Sequence, residues 1–189
     1  MLMLYKVLHL ITLLSVLYPK GNCQRDGFLR DCLDAHNKLR EKHGVPPLEW
    51  DDKLEEQATI MAENLADESM LIDHDGFNDT LFGENIGYFK GYYGKCMGEK
   101  EPGCTQCREI VKNWYDEGKK LYDFDNPENS PLDLKIFHFA QIVWKKSKKL
   151  GFGTSVDADG ALVSVARYRP AGNIGSYKDN VFPQRKDEV

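Results

Sequence analysis

The stretch 137–153, FHFAQIVWKKSKKLGFG, limits what this chain can fold into more than any other. Between 137 and 144, Phe137, Phe139, Gln141 and Val143 fall on one side of an alternating pattern and His138, Ala140, Ile142 and Trp144 on the other. A short run of β-branched and aromatic residues on both sides predicts a buried strand. His138 is the odd member. An imidazole in an apolar strand needs partners for both ring nitrogens, so it is either a hydrogen-bonded core residue or a ligand.

The segments 151–156 and 161–168 read as two more strands joined by the tight turn Asp157-Ala158-Asp159-Gly160, and Pro170-Ala171-Gly172-Asn173 ends the second. Lys145, Lys146, Lys148 and Lys149 read as a solvated turn. Earlier in the chain the period is helical. Leu29, Cys32, Leu33, His36 and Leu39 predict a helix over 28–42, stopped by Gly44 and Pro46-Pro47. After Trp50, Asp52 with Glu55 resembles a capping box opening a second helix, whose inner stripe is Leu54, Ala58, Met61 and Leu65. Residues 73–85 read as irregular, and 88–94, YFKGYYG, as an aromatic, glycine-rich loop that either folds back on the core or meets an apolar ligand. A third helix is predicted over 105–120, with Ile110, Val111, Trp114 and Leu121 inward and Glu117 near the face of Trp114. Helices early and strands late predict an α+β domain in which helices cover a small, mainly antiparallel sheet.

The first 23 residues, with Lys6 ahead of an apolar run from 7 to 17, have the layout of a cleaved secretory signal, too short to span a bilayer. No later segment is apolar enough to cross one, so a secreted, extracellular product is expected. The remaining 24–189, about 165 residues, suit a single domain. The net charge of −5 becomes −7 once Lys6 and Lys20 leave with the signal, which argues against nucleic acid as the main partner. Of five cysteines, Cys23 leaves with the signal or sits at the cut. Cys32, Cys96, Cys104 and Cys107 then allow two disulfides in any of three pairings. Asn78 heads the one glycosylation sequon.

Five ordered segments carry a family likeness: HNKLREKHGVPPLEWDDKLEEQA at 36–58, GENIGY at 83–88, NWYDE at 113–117, HFAQIVWKKSKKLGFG at 138–153 and ARYRPAGN at 166–173. Together they resemble the CAP superfamily of cysteine-rich secretory proteins, venom allergens and plant pathogenesis-related class 1 proteins. The look of the chain is nearest to the single-domain venom-allergen-like proteins of parasitic worms. The resemblance implies a three-layer α-β-α sandwich with a central cleft. There are departures: Phe137 and Ala140 replace small or polar residues, and Phe152 and Ala166 stand where many members have cysteines. Their joint loss is what replacement of a disulfide by apolar packing would produce.

The family's cleft tetrad maps onto His74, Glu84, Glu117 and His138. Two imidazoles and two carboxylates could hold zinc or another divalent cation, and no organic cofactor is implied. Glu84 and Glu117 are the candidate bases for a metal-dependent hydrolase, but no oxyanion donor and no nucleophile motif accompanies them. His36 and His43 read as structural. The resemblance points instead to binding of a sterol or fatty acid, with Tyr88, Phe89, Tyr92 and Tyr93 where a ligand-binding loop should lie. A third possibility is a protein-interaction or immunomodulatory module that meets extracellular host proteins. The expected state is a monomer or weak dimer.

Overall fold

The computed structural model describes residues 23–67, 82–89 and 105–186, with side chains from Gly27 onward. In chain order the elements are α1 (Cys23–Lys42), β1 (Glu49–Trp50), α2 (Asp52–Ala66), β2 (Gly83–Phe89), α3 (Cys107–Lys119), a single 3₁₀ turn at Pro127–Asn129, α4 (Leu134–Val143), β3 (Lys149–Val156) and β4 (Leu162–Arg169). The strands form one sheet in the order β1-β3-β4-β2. β1 runs parallel to β3, while β3 and β2 both pair antiparallel with β4. The predicted α+β class and mainly antiparallel sheet are therefore present. Among the described residues, no helix is long and apolar enough to cross a membrane.

Alternation along β4 separates two cores. Leu162, Ala166 and Tyr168 point into a large aromatic cluster with Phe139, Trp114 and Phe152, whereas Val163 and Val165 point into a small aliphatic one with Ala58, Met61, Ala62 and Leu65 of α2. α2 comes very close to β3. A Cβ added at Gly151 would lie 2.1 Å from the backbone of Leu54 and Glu55, and one at Gly153 2.2 Å from Thr59 N, so only glycine permits this approach. Asp51 caps α2 by accepting from the amides of Lys53 and Leu54, one residue before the cap read from the sequence. The four stripe residues Leu54, Ala58, Met61 and Leu65 are all buried, as predicted.

Several elements differ from expectation. The stretch 137–144 is not a strand: 134–143 forms α4, with Asp133 accepting from the amide of Lys135 as its cap. Ile136, Phe139, Ala140 and Val143 follow the i, i+3, i+4, i+7 rule, while apolar residues on both sides of 137–144 also suit a buried strand, so the run has no decisive period. The cap and Pro131 upstream decide for the helix. The end of the region read as irregular, 83–85, is part of β2, and so are Tyr88 and Phe89, read as loop. Leu121 is 41% exposed because α3 stops at Lys119, and Tyr122 takes the inward place. The hairpin turn at Asp157–Gly160 forms as read: Asp157 Oδ1 accepts from the amides of Asp159 and Ala161, and Gly160 sits at φ 83°.

Cys32 and Cys107 form a buried disulfide between α1 and α3, 75 residues apart. Cys96 and Cys104 lie outside the described residues. Phe152 and Ala166 are direct cross-strand partners, both wholly buried, and Phe152 packs on Trp114 and Phe28. The place where the resemblance would put two cysteines is thus filled by apolar packing.

Candidate functional site

Strand β2 supplies the site, and Gln141 positions its start. Gln141 Oε1 accepts from Gly172 N at 2.8 Å, its Nε2 donates to Ser147 Oγ at 3.1 Å, and Gly83 lies so close that a Cβ there would sit 1.9 Å from Oε1. The next two side chains diverge, as alternation requires. Glu84 Oε1 accepts from Arg167 Nε at 2.7 Å, in a pair whose side chains are only 6% and 7% exposed, and the Arg167 guanidinium stacks 4.2 Å from the centre of the Phe82 ring. Asn85 is wholly buried and donates through Nδ2 to His138 O at 3.1 Å, tying β2 to α4.

From Asn85 a polar chain runs through the aromatic core. Asn85 Nδ2 also reaches Tyr168 Oη at 3.3 Å, Tyr168 Oη lies 2.8 Å from His36 Nε2, and His36 Nδ1 lies 2.7 Å from Cys32 O. A carbonyl only accepts, so Nδ1 carries the proton, and Nε2 must accept from the tyrosine hydroxyl. Burial pushes His36 down to about 4, which keeps it neutral at physiological pH, and raises Tyr168 well above the usual phenol range. His43 is held in the same way: Nδ1 donates to Phe182 O, Nε2 meets Tyr115 Oη at 2.7 Å, and burial lowers its pKa. Both histidines are structural, as read from the sequence.

His138 is half-buried on α4, with its ring 5.8 Å from that of Trp114. Glu117, three residues after Trp114 on α3, is exposed. Among the described residues, no three His, Cys, Asp or Glu side chains lie close enough together to hold a metal ion. Glu84, Glu117 and His138 therefore do not fit a metal by themselves, and the fourth tetrad member, His74, lies outside the described residues. Among the described residues, two buried polar atoms beside His138 have no hydrogen-bond partner: Asn85 Oδ1, an acceptor, and Trp114 Nε1, a donor. Orphaned atoms of this kind mark places where a water or ligand completes the bonding.

Of the aromatic segment, Phe89 is buried 6.2 Å from the Trp114 ring, while Tyr88 is 39% exposed and its hydroxyl donates to Leu65 O at 3.3 Å. Tyr92, Tyr93 and the sequon Asn78 lie outside the described residues. Sequence reasoning missed Arg167, Asn85 and Tyr168 as members of the site. The signal for the first was present: an arginine inside LVSVARYR must find a partner if that strand is buried.

A model of the cysteine-rich secretory protein family, CAP, matches residues 33–168. The human Golgi-associated plant pathogenesis-related protein 1 is 34% identical over 169 residues, covering 88% of this chain and 99% of the relative. Among solved structures, the venom allergen-like protein BmVAL-1 is 25% identical with a TM-score of 0.61, covering 89% of this chain and 87% of that one. NaASP2, solved with Zn2+, is 17% identical with a TM-score of 0.55, covering 88% and 90%, a likeness of fold alone.

Proposed function

The chain belongs to the cysteine-rich secretory protein (CAP) family, and on that premise we propose that it is an exported, non-enzymatic carrier of a small apolar ligand. The ligand class is sterol or fatty acid, and the carrier acts outside the cell on host or tissue. One observation carries this reading. β2 brings Tyr88 to the surface and buries Phe89 against Trp114, immediately ahead of the aromatic segment that ends at Tyr93. The orphaned Trp114 Nε1 and Asn85 Oδ1 give the polar end of such a ligand a donor and an acceptor beside an apolar wall. The signal-like layout of residues 1–23, Lys6 ahead of an apolar run, supports export.

The test is binding of labelled cholesterol and palmitate to the chain with Tyr92→Ala and Tyr93→Ala together. Loss of about one phenolic contact each weakens binding by roughly 10-fold in sum, with the thermal melt unchanged. Unchanged affinity refutes the placement of the ligand.

The solution of NaASP2 with Zn2+ favours a second, compatible reading, in which a divalent cation sits in the cleft. His74 has to complete that centre, because the described residues lack three convergent ligands. The double change His74→Ala and His138→Ala then abolishes zinc uptake in titration calorimetry. Retained stoichiometric uptake refutes it.

A further inference from the structure

Arg167 is fixed in the sheet by register. Its partner across the ladder is Glu84 on β2 and Gly151 on β3, and alternation turns its side chain to the face that Val163 and Val165 share. Glu84 Oε1 accepts from Nε at 2.7 Å, and the Phe82 ring, 4.2 Å from the guanidinium carbon, closes one flat side. The side chain is only 7% exposed. Yet of its N–H donors, the one on Nε alone has a hydrogen bond or ion pair among the described residues. The two Nη amines are left over, and neither is wholly sealed from solvent. A guanidinium held rigid in the sheet with its outer edge unfilled calls for a partner, because an unmet donor on a buried charge is among the costliest groups to leave.

We propose that the Nη edge of Arg167 binds a monocarboxylate, with Glu84 and Phe82 holding the guanidinium in place for it. The hydrogens of the two Nη amines lie in the guanidinium plane and meet both oxygens of a carboxylate at once. Phe82 blocks one flat side, so the ligand arrives in the plane, which suits a planar head. Charge sets the upper limit. Glu84 already balances the guanidinium, so a singly charged anion adds one net negative charge, whereas a doubly charged phosphate adds two in a confined place. A lone hydroxyl has no second oxygen to span the fork. The site is separate from the donor and acceptor beside His138, because Asn85 leaves β2 on the opposite face from Glu84. A fatty acid, within the carrier reading, and a small hydrophilic acid both present this head, and the arginine edge itself does not depend on that reading.

The test follows the Arg167 Nε–H signal by NMR in the full exported chain with nitrogen-15 arginine, assigned by its loss in Arg167→Lys, while octanoate, acetate or octan-1-ol is added at neutral pH. Octanoate moves the signal saturably, with a Kd of about 0.1–1 mM, and the alcohol leaves it in place. Arg167→Lys keeps a cation beside Glu84, and so keeps the melt, but replaces the fork by a point charge; octanoate affinity by titration calorimetry falls about 10-fold or more. Glu84→Gln still offers Nε an oxygen while removing the competing charge, so octanoate binds about 3-fold or more tighter, a gain that a purely structural arginine does not give. Octanoate about 10-fold or more tighter than acetate identifies a fatty acid as the source, and equal affinities a small hydrophilic acid; either upholds the site. Acids that leave the signal in place, an alcohol that moves it as far, or an Arg167→Lys chain that binds octanoate as tightly as wild type overturns the proposal. A chain that yields no lipid on extraction yet takes up acetate at Arg167 fails as a carrier and keeps this site.

Discussion

On one face of the sheet α2 lies against the glycines of β3 and the valines of β4, whereas on the other α1, α3 and α4 lay a thick aromatic layer over Leu150, Phe152 and Tyr168. The first contact is backbone on backbone, with Gly151 and Gly153 giving up their side chains so that a helix can approach. The second is volume on volume, and it alone encloses the polar chain from Asn85 through Tyr168 to His36. The contrast teaches where each face is vulnerable. The narrow face has no room for added atoms. The wide face depends on atoms already there, and it also holds the half-buried His138 against Trp114.

The largest expected effect breaks the narrow face. Gly153→Val places a branched side chain where even a Cβ lies 2.2 Å from the α2 backbone, and backbone cannot step aside as a side chain can. The expected loss is at least about 4 kcal/mol, read as failure to fold or a collapsed urea midpoint; a near-wild-type melt would show that α2 is not seated as described. Next come paired truncations. Phe139→Ala on the wide face is expected to cost about 3–5 kcal/mol and Met61→Ala on the narrow face about 2–3 kcal/mol, by chemical denaturation. Equal losses would erase the distinction between the faces.

A smaller effect comes from pH. A histidine whose folded pKa is depressed gives stability that is fully present above its unfolded value near 6.5 and lost as pH falls toward the folded value. In that window the unfolded chain binds the proton and the native chain does not. For His36, pushed to about 4 by burial, the loss between those limits is about 3 kcal/mol, and His43 adds in the same direction. Denaturant titrations at neutral and acid pH should show the fall, and His36→Gln should flatten it. An unaltered slope in that variant would mean that His36 titrates normally. The subtlest difference is at the edge of the site: Tyr88→Ala removes an exposed ring and one hydrogen bond to Leu65 O, and costs about 1 kcal/mol of stability.

Much of the fold was legible because local rules agreed. Asp157 and Gly160 specify their turn, the α2 stripe repeats at helical spacing, and Phe152 opposite Ala166 was foreshadowed by the paired absence of cysteines. The stretch 137–144 was misread because its apolar residues satisfy two periods at once, and the deciding signal, Asp133 as cap, lies outside the stretch. Leu121 was misassigned because the helix ends at Lys119, before reaching it, and Tyr122 takes the inward place. The site was legible only in part. His138 and Glu84 are far apart in sequence, and nothing in their spacing announces that Asn85 bridges to the backbone of one while Arg167 holds the carboxylate of the other. Such partners come from strand register and helix crossing, which one-dimensional patterns do not encode.

The central claim, that the chain carries an apolar ligand beside the aromatic layer, is tested most directly by what leaves with the protein. Material exported from cells is purified without detergent, extracted with organic solvent and analysed by mass spectrometry, and the stripped protein is then offered cholesterol and palmitate. The account predicts a sterol or fatty acid near one per chain, recovered again on reloading. Protein that carries neither and takes up neither would contradict it.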